Sequence, residues 1–200
     1  MKVRKIAVLG AATAVLVGGS MSAAFAADSA DVTVTGASDL GITNPAAGNF
    51  TGITLDGTVK TTYATLDDFT ATDARGTGAG WNVTVQGTRF AEHDGTGYVA
   101  SGKTLPASSL QMAGVTITKA DSTSSAIPTA TAGPYTLDAG SAVKIASAAA
   151  DGTGMGSYTF VPGDLDSGTG GSQALKLTVP ASAYAKTYRS DVTVSIVSGP

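Results

Sequence analysis

The sequence predicts an all-β protein, built as a single-domain antiparallel β-sandwich of the immunoglobulin-like or Greek-key type. Short segments alternate apolar and polar residues, as where Trp81, Val83 and Val85 share one face of a segment. This period of two is typical of a half-buried strand. Turn-forming Gly-Thr-Gly triplets separate such segments, at 76–78, 95–97, 152–154 and 168–170. No segment after residue 26 shows the 3.6-residue period of a helix.

The strand pattern recurs along the whole chain at short intervals. It predicts strands at 32–34, 62–69, 81–85, 114–118, 143–145, 158–160, 175–179 and 192–196. The Ser/Thr/Ala-rich run 121–134 is predicted to be a long exposed loop. Because the chain has no cysteine, its stability must come from a packed core rather than from disulfides.

The first 26 residues have the organisation of a secretory signal peptide. A basic start with Lys2, Arg4 and Lys5 precedes an almost wholly apolar run over 6–17, and small residues follow at 24–26. The apolar run is shorter than the roughly 20 residues needed to cross a bilayer. We therefore expect cleavage after residue 26, a secreted domain over 27–200, and no membrane span.

The charge of the expected mature chain argues against nucleic acid as a partner. Removal of the leader leaves nine of the 12 basic residues against 15 acidic ones, a net charge of −6. Such a chain is repelled by nucleic acid and by anionic membrane surfaces.

Catalytic constellations are weak in this sequence. His93 is the only histidine, in a turn-like Ala-Glu-His-Asp-Gly segment, and it is interpreted as a solvated turn residue. Asp67 and Asp68 are adjacent, so on a strand they point to opposite faces and do not form a shared acid–base pair. Asp164 and Asp166 are interpreted as a polar turn rather than a calcium site. We predict no enzymatic activity, no cofactor and no metal.

The glycine-rich loop before the single tryptophan supplies the two candidate ligand-binding residues, Arg75 and Trp81. The alternation with Val83 and Val85 favours Trp81 as a core residue, while an exposed indole there would stack on a sugar ring. The Arg75 guanidinium is suited to gripping a carboxylate, either on a ligand or on a neighbouring residue such as Asp73.

Two segments resemble the motifs of the WxL domain. The first is Arg-Gly-Thr-Gly-Ala-Gly-Trp-Asn-Val at 75–83, with Val83 where the family has leucine. Upstream, the stretch from Ile-Thr-Asn-Pro at 42–45 to Phe-Thr-Gly-Ile-Thr-Leu at 50–55 is similar to the lead-in of that family. At the C-terminus Tyr188 and Pro200 are spaced as in the second motif, but Val194 and Ile196 stand where the family has tryptophan and leucine.

The resemblance implies a secreted surface protein that is held non-covalently on the bacterial cell wall through peptidoglycan. It also implies that the protein acts with other surface proteins. The alternative function is a structural subunit of a surface layer or pilus-like fibre, assembled by pairing of edge strands. A fibre subunit would form concentration-dependent oligomers, whereas a wall binder needs no second copy of itself.

Overall fold

A computed structural model describes residues 32–37, 39–166 and 173–199, and the prediction of an all-β antiparallel fold is confirmed. The predicted signal peptide and the fourth Gly-Thr-Gly triplet lie outside the described residues. The strands within these ranges are β1 (Leu40–Ile42), β2 (Lys60–Ala64), β3 (Phe69–Asp73), β4 (Trp81–Gly87), β5 (Ala91–Glu92), β6 (Leu110–Met112), β7 (Val115–Lys119), β8 (Thr129–Ala130), β9 (Tyr135–Thr136), β10 (Val143–Ala148), β11 (Gly156–Pro162), β12 (Leu175–Val179), β13 (Tyr188–Arg189) and β14 (Val192–Ser198).

The strands pair into three four-stranded sheets and one ribbon. Sheet I has the order β1-β3-β11-β7, sheet II the order β14-β4-β10-β8, and sheet III the order β2-β12-β6-β9. The ribbon consists of β5 and β13. Non-consecutive strands are neighbours throughout, so the pairing depends on contacts that are distant in sequence.

Sheets I and II pack face to face around an aromatic cluster. Trp81 of β4 lies with its ring centroid 6.3 Å from that of Tyr158 and 6.4 Å from that of Phe160, both on β11. Phe69 of β3 stacks on Phe160 with ring centroids 4.9 Å apart. All four side chains are buried, and their apolar area supplies much of the hydrophobic stabilisation of the sandwich.

The strands of the two WxL-like motifs are neighbours in sheet II. β14 pairs antiparallel with β4, with Ile196 opposite Val83 and Val194 opposite Val85. Val194 is buried and Ile196 is half-buried. The residues that replace the tryptophan and leucine of the second motif therefore still pack against the first motif.

Most predicted strands are present, and the structure differs from the sequence expectations in three segments. Val32 and Val34 are exposed and lie outside any strand, because alternation alone supplies no pairing partner. The segment predicted as one strand over 62–69 is divided between β2 and β3, and Leu66 between them bridges to another segment. The segment 121–134 is largely the exposed loop predicted from the sequence, but it contains the two-residue strand β8 and the buried Ser124.

The turn chemistry of the glycine triplets is confirmed where the structure describes them. Gly76 and Gly78 have φ values of 68° and 63°, and Gly152 and Gly154 have values of 88° and 77°. Residues with a side chain adopt this left-handed region at a cost, so glycine allows these tight reversals. In the described ranges, no helix has the length and apolarity needed to cross a membrane.

Candidate functional site

The structure places Trp81 inside the sandwich. Its side chain is 0% exposed, and its indole N–H donates a hydrogen bond of 3.0 Å to the carbonyl of Gly154. The backbone of the Gly-Thr-Gly triplet at 152–154 thus satisfies the polar atom of the ring. In this conformation the indole offers no surface to a ligand.

Arg75 is held by three parts of the protein at once. Its Nε and Nη2 donate to the two carboxylate oxygens of Asp73, at 2.9 and 2.8 Å. Nη2 also donates to the carbonyl of Gly80 at 2.9 Å, and Nη1 donates to the hydroxyl of Ser198 at 2.6 Å. Arg75 therefore clamps the end of β3, the glycine-rich loop and the end of β14 together.

This clamp is an internal ion pair. The Asp73 side chain is 1% exposed and the Arg75 side chain 13% exposed, and the hydrogen bonds from Arg75 lower the pKa of Asp73 below its usual value. The sequence predicts that the guanidinium of Arg75 grips a carboxylate either on a ligand or on a neighbouring residue such as Asp73. The structure contains the pairing with Asp73. Ligand binding by Arg75 and Trp81 stays a prediction, and their observed contacts are structural.

A separate groove of about 1010 Å³ opens on another face of the molecule. Its walls are the loop 47–55, the segment 183–192 and one face of sheet III. Its size is at the upper end of the volumes typical of ligand sites. The loop 50–55 of this wall belongs to the stretch that resembles the lead-in of the WxL domain.

The floor of the groove is apolar. Leu110, Leu175, Leu177 and Val179 point to it from sheet III and are at most 6% exposed. Phe50 closes one side by packing its ring against another aromatic ring of the wall, Phe90, at a centroid distance of 5.6 Å. These side chains make the bottom of the groove apolar, but at most 6% of each is open to a ligand, so contact with a ligand depends on the exposed rim.

The rim of the groove is aromatic and charged. The Tyr184 side chain is 59% exposed, and the ammonium of Lys103 lies 4.5 Å from the centroid of its ring. The ammonium of Lys186 pairs with Glu92 at 2.9 Å. The hydrogen bond from the backbone N–H of Lys103 lowers the pKa of Glu92 most, and the hydrogen bond from the Lys186 ammonium lowers it further. This carboxyl is therefore ionised at neutral pH. Tyr188 anchors the rim by donating its hydroxyl to the carbonyl of Tyr184 at 3.0 Å.

His93 lies in this groove, and the interpretation of it as a solvated turn histidine is wrong. Its side chain is 6% exposed, and its ring packs edge-on to Tyr98 with a centroid distance of 5.4 Å. The turn is present, since the backbone N–H of Asp94 donates to the carbonyl of Gly97. The segment 183–192 covers the imidazole. Because this segment is distant in sequence, the residues next to His93 do not predict that it is buried.

The groove and the Arg75 clamp lie at opposite ends of β14. The groove reaches Asp191 and Val192, where β14 begins, whereas Arg75 contacts Ser198, where β14 ends. With a rise of about 3.3 Å per residue, the two places are roughly 20 Å apart. They are therefore separate candidate sites that can be tested independently.

The sequence of this chain was compared with models of known protein families. The chain matches the family described as "WxL domain surface cell wall-binding" over residues 49–200. The chain belongs to the WxL family. This family's description is one of binding at the cell surface and does not name a catalytic activity. Comparisons with curated proteins and with solved structures gave no match.

The match to the WxL family covers the clamp and all of the groove lining except Ala47 and Gly48. Sequence reasoning singled out the clamp because its glycines, arginine and tryptophan are contiguous. It missed the groove, because Phe50, Phe90, His93 and Tyr184 come from distant parts of the chain. The signal that pointed toward it was the resemblance at 50–55. No group of three or more histidine, cysteine or acidic side chains that could hold a metal occurs in the part of the chain that the structure describes.

Proposed function

We propose that this WxL protein is a secreted, non-catalytic surface protein that binds peptidoglycan non-covalently through the groove at 47–55 and 183–192. Membership of the WxL family supports binding to the cell wall. The shape and lining of the groove support it as the position of the binding site. The observation that carries the proposal is the exposed Tyr184 ring beside an apolar floor, in a groove of about 1010 Å³. Sugar rings stack their C–H faces on exposed aromatic rings, and the groove is large enough for more than one sugar unit.

Secretion is part of the same proposal. Residues 1–26 have the basic, apolar and small-residue order of a signal peptide. Contact with the wall then depends on short-range stacking and hydrogen bonds, because the expected mature charge of −6 gives no general attraction to an anionic wall.

Co-sedimentation of the purified protein with insoluble peptidoglycan tests the proposal. We expect saturable binding by the native protein and a loss of about tenfold in affinity for Tyr184→Ala, because an exposed aromatic anchor is removed. Tyr184→Phe keeps the ring and should bind within about twofold of the native protein. Ile127→Ala removes a comparably exposed apolar side chain away from the groove and should bind as the native protein does.

The same assay includes Arg75→Ala, read together with circular dichroism to confirm folding. Loss of binding in a folded Arg75→Ala variant, with Tyr184→Ala unaffected, would place the site at the glycine-rich loop and contradict the groove. Native protein that stays in the supernatant would contradict wall binding altogether.

The fibre-subunit alternative has one observation in its favour. β14 pairs with β4 on one side, carries no charged residue, and exposes Val197 by 51%, which makes it an edge strand suited to pairing with another chain. Sedimentation velocity at several protein concentrations distinguishes the two functions. A single monomeric species at all concentrations supports the wall binder, and concentration-dependent oligomers support the fibre subunit.

A further inference from the structure

The His93 imidazole faces two hydrogen-bond donors. Its Nδ1 lies 3.0 Å from the backbone N–H of Gly95, which donates to it. Its Nε2 lies 3.2 Å from Nη1 of Arg189. A guanidinium nitrogen is always a donor, and a neutral imidazole has only one acceptor nitrogen. Both contacts therefore never exist as hydrogen bonds at the same time.

The backbone contact is the one that the local structure fixes. Gly95 lies in the turn closed by Asp94 and Gly97, so its N–H is held toward Nδ1. In the tautomer that satisfies this backbone contact, Nδ1 is the acceptor and the ring hydrogen is on Nε2. The Nε2–H of His93 and the Nη1–H of Arg189 consequently point at each other as two donors without an acceptor between them.

The nearby carboxylates are engaged elsewhere. Glu92 pairs with Lys186, and Asp191 accepts the hydroxyl of Tyr98 at 2.7 Å. The Thr96 hydroxyl and the backbone N–H groups of Gly97 and Thr96 donate to Asp94 and lower its pKa to about 2. Across the described ranges, no carboxylate lies within ion-pair distance of Arg189.

We propose that His93 and Arg189 form a receptor for an oxyanion of the wall polymer, which accepts one hydrogen bond from Nε2 of His93 and one from Arg189. Both residues line the groove, and with the ring hydrogen on Nε2 the His93 side chain, which is 6% exposed, has no acceptor for that hydrogen. The inference rests on the proposed function, since it assigns an anionic group to the ligand of that same groove. A carboxylate of the muramic acid or peptide part and a phosphate ester of an attached polymer share this chemistry.

The receptor attracts an anion through the orientation of its two hydrogen-bond donors rather than through a net positive charge. Lys103, Lys186 and Arg189 are balanced by Glu92, Asp94 and Asp191 around the groove. The attraction therefore comes from two aimed, charge-assisted donors at short range. Binding should depend only weakly on salt for the same reason.

Because His93 is the only histidine in the chain, its ring nitrogens give unambiguous NMR signals in the native protein. We expect the free protein to show the tautomer protonated at Nε2. Titration with N-acetylmuramic acid, which carries a carboxylate, should shift the Nε2 signal, and N-acetylglucosamine, which lacks one, should not. Glycerol 3-phosphate is the second arm, and the stronger binder of the two anions identifies the source.

Arg189→Gln should weaken binding of the anion by about tenfold, since it removes a charged donor. Lys144→Gln removes the same charge from an exposed position in sheet II and should leave binding within twofold. An Nδ1-protonated tautomer in the free protein, or no shift with either anion, would overturn the receptor. Retained sedimentation with peptidoglycan in that case would leave the proposed wall binding intact.

Discussion

Replacing Trp81 by alanine should lower the free energy of unfolding by about 3–5 kcal/mol, the range for truncating a large aromatic residue in a core. The ring is fully buried between sheets I and II, against Tyr158 and Phe160. Its removal also leaves the carbonyl of Gly154 without the indole donor, which adds the cost of an unsatisfied polar group.

The measurement is urea unfolding followed by circular dichroism, because Trp81 is the only tryptophan and its fluorescence is lost in the variant. Tyr184→Ala is the matched control, since it removes a large aromatic ring that is 59% exposed and should change the stability by less than about 0.5 kcal/mol. A loss below about 1 kcal/mol for Trp81→Ala would show that the indole is not a core residue and would return Trp81 to the list of candidate ligand contacts.

Gly80→Ala should destabilise the protein more than Gly57→Ala does. Both glycines have a positive φ, 73° and 84° respectively, so any side chain costs about 1–2 kcal/mol at either position. A Cβ at Gly57 meets nothing within 4 Å, whereas one at Gly80 would lie 2.5 Å from the carbonyl oxygen of Ala148. The backbone of Ala149 and Ala150 follows at 2.9 and 3.0 Å.

Since these contacts are backbone atoms of the last residue of β10 and of the two residues after it, no side-chain rotation relieves them. We expect an additional loss of about 1–3 kcal/mol at Gly80, as for overpacking. Comparison of the two urea midpoints at unchanged slope isolates this difference. Equal losses for the two variants would mean that the approach of the glycine-rich loop to Ala148 is looser than the structure shows.

The parts of the fold that could be predicted from sequence are the strands whose own residues alternate between apolar and polar. Leu175 to Val179 and Val192 to Ile196 alternate strictly, and both are strands. Trp81, Val83 and Val85 are all fully buried, as their shared face predicts. Asp73 was the natural partner for Arg75 because it stands two residues away, and the ion pair is present.

The rest depends on neighbours that are distant in sequence. Val32 and Val34 have the same alternation as the true strands, yet they lie outside any strand. His93 has the local sequence of a solvated turn and is buried by a segment roughly 90 residues later in the chain. The groove is likewise a product of tertiary structure, since its floor, its rim and its loop wall come from distant parts of the chain.

Hydroxyl-radical footprinting of the native protein bound to peptidoglycan tests the central claim most directly, because it needs no substitution. Tyr184 lines the groove and is 59% exposed in the free protein, so it should become protected when the wall is bound. Tyr63, which follows Thr62 on β2 and so faces away from the groove, serves as the internal reference and should react equally in both states. Equal reactivity of Tyr184 in the free protein and in the protein saturated with peptidoglycan would contradict the groove as the wall-binding site.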